Sequence, residues 1–479
     1  HALRSIPNNE SCRELDSVDQ ARCLLEASPC SVSFAGLGGI YSFSGAFNPP
    51  GSDSVDYGGQ TLRHSLIQGI VDMMEGLTQR IEVGQVPDVT AEFMALYDSL
   101  EIAAEPISIE TDPPVLQGRF DELASARTVR GKIAGNDPAR EHRSWNASGQ
   151  FVGWSASTVT GPDSLVLHWV AQLAQAAIDR ANGHVPQDPS GAPIPLVTVT
   201  ETGLDLRQLL QKFLLMAVVY AQGSDDYLDE GLNGDHSGNR SGQPNSALEH
   251  GWDEAFGYFG SARDYLFYSD DEIAGAAGRP TYAHGYHDSD GDGAIDLLKE
   301  FNFGQSVNAS KRDRGSSQDA RTNFSSQAFT AFRDGRKLIS SIPGPLNNAQ
   351  RSRLVAFRDR ARDNWENAIA ATVVHYINEV LKDMGAFGTS GYSFVSHAKH
   401  WSEMKGFALG LQFNPAGALT DAEFSRLHAW MGQAPALSTS ATGAIASYRD
   451  ALRRSRALLG DAYGFAPENL GDANGVGGW

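Results

Sequence analysis

NAQRSRLVAFRDRARDNWENAIAATVVHYINEVLKDM, residues 348–384, is the stretch on which the fold turns. Its apolar side chains, Leu354, Phe357, Ala361, Trp365, Ile369, Val373, Ile377 and Leu381, recur every three or four positions, the period of an α-helix. Pro343 and Pro345 mark its upstream boundary, and its length leaves room for one bend or break. Working outward, the same periodicity predicts helices over 325–339, 420–431 and 442–459 on one side. On the other it predicts helices starting at Thr61 and over 91–102, 165–180 and 206–221, then an aromatic-rich segment over 247–267. Strand-like alternation is scarce, so the chain reads as all-α.

Three kinds of segment interrupt the helices. Residues 34–57 are rich in Gly, Ser and Pro and read as extended or looped chain. Residues 223–244 and 302–323 are polar and glycine-rich, a composition that cannot bury enough apolar area to offset its ordering, and are expected as long surface loops. The first 33 residues hold all three cysteines, Cys12, Cys23 and Cys30, and read as a leader to a folded body over 34–465, with 466–479 as a flexible C-terminal tail. In an oxidising compartment two of the three cysteines can close a small loop; which two is left open. The chain starts at His1 without a methionine, so a segment removed by processing or by cloning is expected ahead of it, and a lipid-anchoring cysteine there is compatible with this start.

The 479 residues carry 58 Asp and Glu against 38 Lys and Arg, a net charge of −20. That argues against phosphate-backbone binding, which needs a clustered cationic surface, and nucleic acid is not an expected partner. The longest apolar run, 209–220, is too short to cross a bilayer and reads as a buried helix.

Two constellations carry chemistry. In Asp288-Ser-Asp290-Gly-Asp292-Gly293-Ala-Ile-Asp296, carboxylates fall at loop positions one, three, five and nine with glycine at six, the oxygen-rich spacing of a calcium loop. Lys299 stands where an EF-hand has its bidentate Glu, so Glu300 or an outside residue is expected to complete the shell around a structural Ca2+. The plain alternative is a solvated acidic turn. The second constellation is a set of His/carboxylate pairs: His250 with Asp253 and Glu254, three and four residues on, and His397, His400 and Glu403 at steps of three. On a helix each set shares a face, so imidazole and carboxylate can reach one metal, iron or zinc. His375 sits between them in sequence, four residues before Glu379. Glu366, nine residues before His375, faces the other side of a straight helix. The alternative for each is a local hydrogen bond or a surface pair. His64, His168, His184, His236, His284 and His287 have no such company and read as structural or exposed. A zincin His pair, a Walker loop and a nucleophile elbow are all missing from the sequence.

Glu249-His-Gly-Trp-Asp-Glu-Ala-Phe-Gly-Tyr-Phe-Gly260 resembles a bacterial exported family known as domain of unknown function 4856. The resemblance continues through Tyr41-Ser-Phe, Tyr57-Gly-Gly-Gln60-Thr61, Gly203-Leu-Asp-Leu-Arg-Gln-Leu, Phe332-Arg333-Asp-Gly-Arg336, Trp365-Glu366, His375-Tyr-Ile-Asn378 and His400-Trp-Ser-Glu403-Met-Lys-Gly406-Phe, and so spans most of the chain after the leader. That family is similar to the imelysins, helical envelope proteins linked with iron uptake and marked by a Gly-x-His-x-x-Glu motif. Here His250 matches the histidine, Asp253 stands in the glutamate's place, Glu254 follows, and Glu249 replaces the glycine-led entry. The resemblance implies two packed helical bundles, about 34–245 and 246–465, with a site between them, in the periplasm or at the cell surface. The expectation is therefore an envelope protein of metal acquisition, holding iron or an iron chelate at His250, Asp253, Glu254, His375, His400 and Glu403, with an outer-membrane uptake receptor as partner. A metal-dependent hydrolase of peptidase type and a non-catalytic surface interaction protein are the alternatives.

Overall fold

The computed structural model describes residues 39–125 and 127–479. The cysteine-bearing leader, and with it any pairing of Cys12, Cys23 and Cys30, lies outside the described residues. The described chain is all-α, with about a dozen helices and only isolated β-bridges between them. No helix among the described residues is long and apolar enough to cross a membrane.

The helices are α1 (Gly58–Glu75), α2 (Leu77–Glu82), α3 (Val89–Asp98), α4 (Pro162–Ala181), α5 (Leu206–Leu214), α6 (Ala247–Phe259), α7 (Asp270–Ile273), α8 (Gly304–Gly315), α9 (Phe324–Ser340), α10 (Asn348–Gly385), α11 (Phe394–Gly410), α12 (Asp421–Met431) and α13 (Thr442–Tyr463). The axis of the molecule is α10, 38 residues without a break, about 57 Å long at 1.5 Å per residue. The break allowed by its sequence does not occur. Asn347 caps its first turn by accepting from the Gln350 amide, and Gln350 returns the bond. Every residue from Ala368 to Val374 is buried, because α8, α9, α11 and α13 pack around it. An apolar surface on all sides is what a central helix requires. Glu366 and His375, nine positions apart on this unbroken helix, can therefore both point into protein.

Helices from either side of residue 245 interlock: α1 packs on α6 and α5 on α11. One hydrophobic core runs from Tyr41 to Trp479. In α9 Gly335 lets the indole of Trp252 lie directly on the backbone, since a Cβ there would overlap the ring; the Trp252 Nε1 donates to Phe332 O at 2.7 Å.

Both segments expected as surface loops contain buried helix. After α5 the chain continues through two π-helical stretches, Leu215–Tyr220 and Gln222–Tyr227, with Ser224, Asp225 and Asp226 almost fully buried. Asp225 accepts from the backbone and ring of His142, and Asp226 pairs with Arg140 at 2.8 Å. In α8 the buried face is also polar: Gln305 donates to Leu215 O, Ser306 to Gly260 O, and Asp313 accepts the backbone N–H groups of Phe324 and Ser325 that open α9. Hydrogen bonds to distant partners do for these stretches what apolar area does elsewhere.

The C-terminal fourteen residues, expected to be a flexible tail, are docked. Trp479 is buried against Phe324 and Phe465, its Nε1 donates to Arg312 O at 2.9 Å, and Asn378 Nδ2 donates to both Leu470 O and Trp479 O. Limited proteolysis should leave residues 466–479 attached until the helical body itself is cut. Early release of that peptide, seen by mass spectrometry, would contradict the docking.

Candidate functional site

The aspartate loop curls so that three of its carboxylates lie close together. Gly291 and Gly293 take φ of +77° and +86°, a left-handed conformation that lets the chain curl back on itself. Asp288 Oδ1 accepts from Gly291 N at 2.7 Å and its Oδ2 from Gly293 N at 3.0 Å, while Asp292 Oδ1 accepts from Ala294 N at 2.9 Å. The result brings one carboxylate oxygen from each of Asp288, Asp290 and Asp292 within 4.8 Å of the others. The loop is pinned from below: Ile295 N donates to Pro114 O, and Leu116 N donates to Ile295 O.

Asp296 and Glu300, expected as further ligands, are engaged otherwise. Asp296 Oδ1 accepts from Gln117 and from Leu298 N, and its other oxygen pairs with Lys299 at 2.8 Å. Burial alone would raise the pKa of Asp296, but the bonds from Lys299 and Gln117 outweigh it and hold the carboxyl below its usual value. Glu300 accepts from Ser289 N and Oγ with one oxygen and from Asp296 N with the other. It braces the loop from behind, and burial raises its pKa.

The first His/carboxylate set lies on α6. Ser246 and Glu249 form a capping box at its start. Glu249 and Asp253 are both fully buried and both bound to the fully buried Arg336 of α9, at 2.9 and 2.8 Å. Tyr41 adds a hydroxyl bond to Asp253 at 2.8 Å, and Arg336 donates its remaining nitrogen to Ser54 Oγ. Asp253, proposed as a metal ligand, thus spends its Oδ1 on Arg336 and Tyr41, while its buried Oδ2 has no partner. Burial raises its pKa despite Arg336. Glu254 accepts from Gln60 and Tyr227, and His250 stands 3.4 Å from Glu254 and 3.7 Å from Asp56, the local pair that a spacing of four allows.

The second set lies where α10 meets α11. His400 Nδ1 bonds Asp383 at 2.8 Å, and the same carboxylate faces His397 at 3.6 Å. Burial would lower the pKa of His400, but Asp383 more than compensates and raises it. Glu403 accepts from the Tyr376 hydroxyl at 2.9 Å and lies 3.4 Å from Lys212. Burial, helped by the charge of Arg312, drives His375 down to about 2, so it is a neutral imidazole under the C-terminal segment.

His250, Asp253 and Glu254 thus engage α1, α9 and residues 41–56, whereas His375, His400 and Glu403 engage α10, α11, α5 and the chain end. The structure does not gather them into one ligand set. Among the described residues Asp288, Asp290 and Asp292 are the one group of three or more such side chains whose ligand atoms come together. Sequence reasoning missed Arg336, 83 residues from Asp253, and it missed the cations of α5 and α8. Its one available signal was Arg336 closing the Phe332–Arg336 motif. No family model, curated protein or solved structure matches the chain.

Proposed function

We propose that this chain is an exported helical binding protein whose fold is braced by one calcium ion. The observation that carries the reading is the convergence of Asp288, Asp290 and Asp292 on one point of a turned loop. Calcium takes six to eight oxygens, so the three carboxylates would be joined by main-chain carbonyls and water. A site with so few fixed ligands and so much exposure suits the weak affinity of extracellular modules, about 10⁻⁴–10⁻³ M. Such a site would fill where calcium is millimolar, as it is outside the cytosol. The ion would tie the loop to residues 114–117 and, through Glu300, to the turn leading into α8.

Metal acquisition, with iron or its chelate as cargo and an outer-membrane receptor as partner, draws its support from the sequence resemblance, because its six residues fall into two separate sets. A metal-dependent hydrolase draws less, since a catalytic zinc asks for three protein ligands around one open position.

Calcium titration of tag-free protein after chelation is the test. Calcium at about tenfold its Kd should raise the melting temperature by on the order of a few °C, and the double variant Asp290→Ala, Asp292→Ala should lose that response while keeping its helical circular dichroism. If the melting temperature ignores both chelator and calcium, the loop is only an acidic turn.

A further inference from the structure

A cleft of about 580 Å³ opens between α1, α5 and α8, closed at its end by Tyr376 of α10 and Phe407 of α11. In a chain of net charge −20, three cations converge on it: Lys212 from α5, and Lys311 and Arg312 from α8. Lys212 has a partner in Glu403 at 3.4 Å, and Lys311 is exposed. Arg312 is different. It is 8 % exposed, and its Nε is buried without a hydrogen-bond partner. Among the described residues its guanidinium forms neither an ion pair nor a hydrogen bond; only its backbone carbonyl is bound, by Trp479. A guanidinium cannot shed its proton to escape this position, and burying it unpaired is strongly unfavourable.

A second donor lies on the same wall. One end of the Asn308 amide meets Thr372 Oγ1 at 3.0 Å, and its other end is buried with no partner. Gly304, Asn308, Lys311 and Arg312 are spaced by four, three and one, so they form one stripe along α8. The N-terminus of α8 has no side-chain cap and no acidic residue in its first turn, and Gly304 itself lines the cleft. The stripe therefore presents free N–H groups at one end, an unsatisfied amide in the middle and an unpaired guanidinium at the other. Asp72 and Glu110 line the cleft and Glu403, Glu379 and Asp313 act on Arg312 from a distance, but none of them forms an ion pair with its guanidinium. Ile67, Leu215, Phe303 and Phe407 supply apolar wall between the polar groups.

We propose that this cleft binds a small organic anion, a carboxylate or phosphate monoester with an apolar body, with Arg312 as its principal anchor and Asn308 and Lys311 as supporting donors. The anion would take the paired N–H groups of Arg312, geometry that a guanidinium offers to either oxyanion, and the apolar body would lie against Phe303 and Phe407. The site needs no calcium, so it deepens the binding role without depending on the aspartate loop.

Isothermal titration of the full chain with phenyl phosphate, benzoate, inorganic phosphate and phenol tests it, in calcium and again after chelation. At least one of the two aromatic anions should bind, more tightly than inorganic phosphate, while phenol should not. The preferred anion identifies which oxyanion the cleft is built for. Arg312→Met should weaken that binding by about tenfold or more, and Lys311→Met by less. Because Arg312 has no protein partner to abandon, Arg312→Met should melt no lower than the parent chain. Undiminished binding by Arg312→Met, or no binding of either aromatic anion by the parent, overturns the assignment. A large fall in the melting temperature of Arg312→Met would mean that Arg312 serves the fold, and overturns it too. Persistence of anion binding in the Asp290→Ala, Asp292→Ala variant is expected, so the failure of one proposal is distinguishable from that of the other.

Discussion

Arg336→Met is expected to destabilise the chain by about 3–5 kcal/mol, because it strands the carboxylates of Glu249 and Asp253 in a dry core without their cation. The size follows from burial: all three side chains are fully enclosed, so water cannot replace the missing guanidinium. A pH dependence should appear with the loss. Without Arg336 both carboxyls would have folded-state pKa values above their unfolded ones, so the folded chain would bind more protons than the unfolded chain. Stability of the variant should then recover as pH falls from 7 toward 4, the opposite of ordinary acid unfolding. Urea unfolding at several pH values measures both effects. A loss below about 1 kcal/mol would show that these ion pairs do not hold in solution.

Lys405→Met should change the alkaline behaviour of the protein more than any other single substitution. Lys405 is fully buried on α11, where its Nζ meets His428 Nδ1 at 2.9 Å and Gly432 O at 2.7 Å. Burial lowers its pKa to about 7, and His428 is held well down by burial and then by Lys405 itself, so the imidazole stays a neutral acceptor. In the unfolded chain the lysine titrates near 10.4, so between pH 7 and 10 the unfolded state holds a proton that the folded state has released. Unfolding free energy should therefore rise with pH across that window, by up to about 4–5 kcal/mol, and the full penalty applies below pH 7. Lys405→Met should remove that rise, leaving a flatter profile from pH 7 to 10. Parallel slopes for the two proteins would show that Lys405 stays charged where it is.

The helices were legible in the sequence because their signal is local. The starts of α5, α10 and α13 fall where the apolar period begins, and the aspartate loop needs only contiguous residues to bring its carboxylates together. What escaped was decided by partners far along the chain. The stretches over 222–227 and 304–315 look like surface because they are polar; His142, Arg140, Leu215 and Phe324, which satisfy them, are 11 to 90 positions away. The His clusters failed in the same way. A spacing of four does place His250 beside Glu254, but nothing near Asp253 announces that Arg336 will claim it. His400 goes to Asp383, on the preceding helix, rather than to Glu403 three residues on.

The hydroxyl of Tyr41 reaches Asp253 across 212 positions, and the segment 41–57 closes over α6 only through such contacts. By contrast α9, α10 and α11 are sequential neighbours that pack on one another. Loop-closure entropy makes the adjacent helices the early nucleus and the N-terminal strap a late arrival. During synthesis the order is reversed, since residues 41–57 emerge before α6 and α9, the helices that they bind. Until then the aromatic groups of Tyr41 and Tyr57 lack the α6 surface that covers them, so the nascent strap carries exposed apolar area.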